Sequence, residues 1–136
     1  MKPEELMIGD YVQWKDRCVR VASVSGIVYS FGQQDVVLQG CNDDKLLESH
    51  LIECISPIPL THEFMAKNFG ENKGRGYFYF DDFIELSIWE VNDGTFLVEC
   101  DHVEFSSMPG EQVMVSSVHQ LQHFLRHICY EKEIVL

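Results

Sequence analysis

Short alternating segments dominate the first part of the chain. Asp10–Trp14 is followed by the polar pair Lys15-Asp16. Cys18–Ser23 then alternates, with Val19, Val21 and Ser23 set against Cys18, Arg20 and Ala22. Gly26 and Gly32 bracket Ile27–Phe31, and Asp35–Gln39 and Leu51–Ile55 are two further short apolar runs. Period-two segments broken by Gly, Asn and Asp predict five strands in a small antiparallel barrel or rolled sheet. Leu6-x-Ile8-Gly9-Asp10-Tyr11-Val12 resembles the first strand of SH3-like barrels. Pro57 and Pro59 close this region, since each lacks an N–H and forces extended geometry on the residue before it.

Beyond the prolines the period changes. Thr61 predicts an N-cap for a helix to Phe69, stopped by Gly70, with Glu63 in its first turn. Phe83–Val91 and Thr95–Phe105 flank Asn92-Asp93-Gly94 and predict a long hairpin. A two-residue loop would pair Ile88 with Glu99. A three-residue loop pairs Ile88 with Val98, Leu86 with Cys100 and Ile84 with His102, gathers the apolar residues on one face, and is chosen for that reason. Met108-Pro109-Gly110-Glu111 predicts a type II turn, and Gln112–Val115 a further strand. Ser116 or Ser117 then caps a helix over Val118–Tyr130, whose core stripe is Val118, Leu121, Leu125 and Ile128. Ile134–Leu136 reads as a closing strand. The fold class expected is α+β: a small β lobe over 1–58, then an α+β lobe over 59–136 in which a helix, a meander and a C-terminal helix pack together as one unit.

Three islands, Ile8-Gly9-Asp10-Tyr11-Val12, Pro57-Ile58-Pro59-Leu60-Thr61 and Val118-His119-Gln120-Leu121-Gln122, resemble an uncharacterised family of Bacteroidetes genomes, their phages and mobile elements. His123 departs from the Asn usual there. The resemblance implies cytosolic residence and a mobile-element context, and it transfers no activity and no site residues.

Charge narrows the function. The 136 residues hold 10 Lys+Arg against 22 Asp+Glu, a formal net charge of −12. Such a chain lacks the basic face that phosphate contacts need, so no nucleic-acid binding is expected. The acidic opening MKPEELMIGD has no apolar core of a signal sequence, and no apolar run reaches membrane-spanning length, so a cytoplasmic protein with no membrane contact is expected. The acidity is uneven. Residues 1–68 hold 6 basic and 10 acidic side chains, residues 69–136 hold 4 and 12, and Gly76–Leu125 contains nine acids with no Lys or Arg. A field of one sign steers basic partners.

Four constellations follow. Glu85 falls opposite Asp101, with Glu99 nearby, which suits a basic protein partner or a Mg²⁺ or Ca²⁺ ion; a solvated face is the competing reading. Tyr77 and Tyr79, if turned outward, extend that surface with aromatic area; core packing is the alternative. His119 and Gln120, near a helix N-terminus, are a candidate anion site, against a purely structural bonding role. His119, His123 and His127 stand four apart and share one helix face, which suits a divalent metal. Gln120 occupies the position where a zinc-hydrolase motif needs its Glu base, and a solvated polar stripe is the competing reading. The five cysteines have no CxxC spacing and read as reduced core thiols. No cofactor is predicted and no enzyme signature is present. The reading is a non-enzymatic interaction or accessory module that binds a basic partner through an acidic face. The alternative is a small metal-binding protein or enzyme using the His119/His123/His127 face.

Overall fold

The computed structural model describes residues 1, 5–24, 35–40, 47–71, 76–80, 84–102, 110–128 and 133–136. The chain is α+β, with two antiparallel five-stranded sheets and two α-helices. It divides into two compact units, Met1–Ile58 and Pro59–Leu136.

In the first unit β1 (Tyr11–Trp14), β2 (Arg17–Val24), β3 (Asp35–Gly40), β4 (Leu47–Leu51) and β5 (Ile55–Pro57) lie in the order β4-β3-β2-β1-β5. The polar pair does turn the chain: Trp14 pairs with Arg17, and Lys15 takes a left-handed φ of 52° with its ammonium 4.6 Å from the centre of the Trp14 ring. Alternation then buries Val12 and Trp14 with Val19, Val21, Val36, Leu38, Ile55 and Leu6 in one core. The Asp10 side chain is fully buried and accepts the Met7 N–H at 2.7 Å, which fixes the entry to β1. The strand expected over Leu51–Ile55 is corrected. The chain makes a 3₁₀ turn over Ile52–Cys54, which separates β4 from β5 and carries the chain on to pair with β1. Pro57 is tolerated there because β5 is an edge strand. The expected strand Ile27–Phe31 lies outside the described residues.

In the second unit β6 (Gly70–Glu71), β7 (Tyr77–Phe80), β8 (Ile84–Asn92), β9 (Thr95–His102) and β10 (Glu111–Val115) form a meander in the order β10-β9-β8-β7-β6. The chosen hairpin register is the one observed, with Ile88 opposite Val98, Leu86 opposite Cys100 and Ile84 opposite His102. Its closure differs from the expectation. Asn92 pairs with Thr95 across Asp93-Gly94, and a bulge between Glu90 and Asn92 restores the register. Gly94 takes the left-handed conformation that this turn requires, with φ 71°.

Helix α1 (His62–Asn68) starts at Thr61, whose Oγ1 accepts the Phe64 N–H at 3.1 Å. Gly70 does not cap it. Phe69 is already extended, and Gly70 belongs to β6, where an added Cβ would lie 3.3 Å from the Phe78 carbonyl. Helix α2 (Val118–His127) buries Val118, Leu121 and Leu125, with Ile128 buried at its C-cap, as the stripe predicts, and Phe124 is buried beside them. Its expected extension to Tyr130 lies outside the described residues, as do Asn72–Arg75, Asp81–Phe83 and the first two residues of the predicted turn at 108–111. Ile134–Leu136 is not a strand. The Asn68 amide takes the place of a strand neighbour, donating to the Val135 carbonyl at 2.7 Å and accepting the Val135 N–H at 2.8 Å. Of the cysteines, Cys100 is a core thiol and Cys18 is half-buried; Cys54 is exposed, against expectation, because the 3₁₀ turn holds it out of the sheet. Cys41 and Cys129 lie outside the described residues.

Candidate functional site

Strand alternation sorts the second sheet into two faces. Tyr77, Leu86, Ile88, Phe96, Val98, Cys100 and Val115 are buried on one. The other carries three rows of side chains, each running across neighbouring strands. Phe80, Glu85 and Asp101 are adjacent in the first, Phe78, Ser87, Glu99 and Gln112 in the second, and Trp89, Leu97 and Met114 in the third. Phe80 is 61% exposed and Met114 65%, and Phe78 is also exposed, so this face is neither a core nor a plain solvated surface.

The expected carboxylates therefore come together. Glu85 is directly opposite Asp101 and both are exposed. Two like charges across an antiparallel pair destabilise the sheet. Among the described residues no cation pairs with either, whereas Glu99 accepts a hydrogen bond from the Gln112 side-chain amide. The aromatic part of the expectation is corrected. Tyr77 faces the core at 7% exposure and Tyr79 is half-buried, while Phe78 and Phe80 point outward. The phase follows from Tyr77 lying opposite Ile88, a core residue of β8. Nothing in the run Tyr77-Phe78-Tyr79-Phe80 shows that phase, because all four residues are aromatic.

Tyr77 instead joins two residues that sequence reasoning did not single out. His62 on α1 places Nδ1 2.7 Å from the Tyr77 hydroxyl and Nε2 2.8 Å from Glu90 Oε2, and the other Glu90 oxygen accepts the Gly94 N–H at 2.9 Å. A carboxylate only accepts, so Nε2 carries a proton, and in the neutral ring Nδ1 then accepts from the phenol. The His62 ring also stands edge-on to Phe96 at 5.4 Å. The chain of bonds ties the start of α1 to the hairpin tip. Burial, with Glu71 and Glu90 nearby, pushes the Tyr77 phenol up, so it stays protonated and serves as a donor rather than a nucleophile. The Gly94 N–H and His62 hold the Glu90 carboxyl below its ordinary value of 4.5. A depressed carboxylate contributes stability that is fully present above the unfolded value and is lost as pH falls through the folded one. We expect an NMR titration of the Gly94 amide to report a midpoint below that of an ordinary glutamate, and Glu90→Gln to abolish the step. An unchanged step in that variant would assign it to another group.

The histidines on α2 have separate surroundings. His119 is buried, 5% exposed, with Nδ1 3.0 Å from the Ser117 hydroxyl. His123 is half-buried with its ring edge-on to His119 at 5.8 Å. His127 is exposed and lies 3.2 Å from Glu111. The solvated-stripe reading is thus corrected for His119. Among the described residues no group of three or more potential ligands gathers around a point. Gln120 has its carbonyl oxygen 2.9 Å from the Ser116 N–H, a variant of the capping box that fixes the start of α2. His123, His127 and Phe124 line an open groove of about 400 Å³ with Val113, Met114 and Val115 of β10. No described helix is long and apolar enough to cross a membrane. No protein-family model, curated protein or solved structure matches the chain.

Proposed function

We propose that the chain is a non-enzymatic interaction module whose second sheet binds a basic, partly apolar segment of a partner protein through its outer face. The observation that carries this reading is the row Phe80–Glu85–Asp101, an exposed aromatic ring beside two facing carboxylates. A Lys or Arg side chain laid across the row would bond both carboxylates and offset half of their charge while its stem covers the ring. The large one-signed field of this half of the chain would speed the encounter. The strand order β4-β3-β2-β1-β5, with a 3₁₀ turn before the last strand, supports an SH3-like barrel for the first unit. The three islands resembling a mobile-element family support an accessory role there, including mimicry of DNA toward a DNA-binding host protein.

Charge reversal separates binding from folding. Glu85→Lys creates an opposite-charge pair with Asp101 and should raise stability by about 0.5 kcal/mol. Affinity capture from a bacterial lysate should retain a set of basic proteins on the wild type at low salt and release it at high salt. Glu85→Lys and Phe80→Ser should both lose that set. Retention of the same proteins by both variants would overturn the proposal.

A further inference from the structure

Among the described residues β10 is an open edge of the second sheet, and over Gln112–Val115 it lacks the protection that the other sheet edges carry. β6, at the opposite edge, is two residues long and ends in Glu71; β5 is three residues long and ends in Pro57; β4 contains Glu48. Short length, charge and proline are the usual means of keeping an edge from pairing with another chain. β10 has its one charge at its first residue, Glu111, and the following Gln112-Val113-Met114-Val115 carries no charge and no proline.

The edge also has a defined free length. Ser116 donates its N–H to the Gln120 side chain and accepts the Leu60 N–H at 3.1 Å, so both of its backbone groups point away from β9. Alternate residues of an antiparallel strand direct their backbone groups to the same side, so Met114 and Gln112 also turn theirs to the open edge. The bridge between Pro59 and Ser117 ends that edge beyond Val115. What remains is Glu111–Val115, centred on Val113.

We infer that β10 pairs antiparallel with β10 of a second copy of this chain, about a two-fold axis at Val113, and joins the two second sheets into one. In this register Gln112 of each copy exchanges backbone hydrogen bonds with Met114 of the other. Glu111 faces Val115, so no like charges meet. Charge also permits self-association at this edge. In a chain of net charge −12, residues 112–128 contain no acid and hold Arg126 and three histidines. Glu111, the first residue of the strand, has its carboxylate 3.2 Å from His127 Nε2. Two acidic copies therefore meet through strands whose one acid is Glu111. The pairing is isologous, the commonest closed symmetry. It brings the two α2 helices together over the junction and closes the groove lined by His123, Phe124 and His127 from both sides.

Sedimentation equilibrium of the full chain at several concentrations should show a dimer at about 100 μM that dissociates on dilution. Met114→Lys should weaken it at least about tenfold by placing a charge on the edge. Gln112→Pro, which removes an N–H, should weaken it with unchanged far-ultraviolet circular dichroism. Phe80→Ser and Glu85→Lys should leave it intact, which keeps this inference distinct from the binding face proposed above. A wild type that is monomeric throughout, a dimer that survives Met114→Lys, or one lost with Phe80→Ser would each overturn it.

Discussion

Replacing Gly76 with alanine is expected to destabilise the second unit by about 3 kcal/mol, the sum of a left-handed backbone cost and a steric one. Gly76 has φ 87°, and a Cβ built there would lie 2.1 Å from the Ile88 carbonyl oxygen and 3.1 Å from the Trp89 Cα. Both are backbone atoms of β8, so the clash cannot be relieved by turning a flexible side chain. Either β7 lifts away from β8 or the chain before Tyr77 changes path. In both cases Tyr77, opposite Ile88, loses its place under α1 and its bond to His62. Gly94 provides the control. Its φ is 71°, yet nothing lies within 4 Å of an added Cβ, so Gly94→Ala should cost only about 1 kcal/mol. Urea unfolding of the two variants therefore separates the backbone cost from the clash. Equal losses in the two would show that β7 and β8 tolerate the extra methyl, and would remove the close approach as the reason for glycine at 76.

Asn68→Ala is expected to cost about 2 kcal/mol, the penalty for leaving polar groups without partners. Asn68 is 5% exposed, and its amide makes three bonds to the backbone: donation to the Phe64 carbonyl at 3.0 Å, donation to the Val135 carbonyl, and acceptance from the Val135 N–H. It thereby stops α1 and holds residues 134–136 against it, with Ile134 buried and the Lys67 ammonium donating to the Leu136 carbonyl. Asn68→Asp should be no better, because a carboxylate cannot donate to the two carbonyls. Hydrogen exchange at the Val135 amide is the specific readout. It should accelerate in both variants, while the amides of β8 and β9 slow or quicken only with global stability. Protection of Val135 that survives Asn68→Ala would mean that another contact holds this segment.

These two residues show where sequence reading stops. Gly76 reads as one of two glycines in a polar loop, Asn72-Lys73-Gly74-Arg75-Gly76, and Asn68 reads as one member of a short apolar stripe, Phe64, Met65, Asn68 and Phe69. What sets them apart is the carbonyl of Ile88, twelve positions away, and the backbone of Val135, sixty-seven positions away. The candidate surface divides in the same way. Glu85, Asp101 and Glu99 were legible because a hairpin register follows from which pattern buries Ile84, Leu86 and Ile88. The aromatic half was misassigned because four successive aromatic residues carry no alternation of their own. His62 and Glu90 gave no signal at all, since twenty-eight residues separate them and each looks like an ordinary polar residue at the end of its element. The one available hint was Tyr77 itself: a tyrosine placed on a buried face needs a partner for its hydroxyl.

Local patterning was thus sufficient for the class of fold, the change from a strand-rich region to a mixed one at the prolines, the start of both helices and the register of the longest hairpin. Each of these depends on neighbours a few residues apart, where period and capping chemistry act directly. Which aromatics are exposed, what closes the C-terminal segment, how the three α2 histidines are separated and which sheet edge is left unprotected depend on contacts between distant residues. Those contacts follow from the order in which strands assemble, and a pleated strand offers both of its faces and both of its edges until a neighbour covers one.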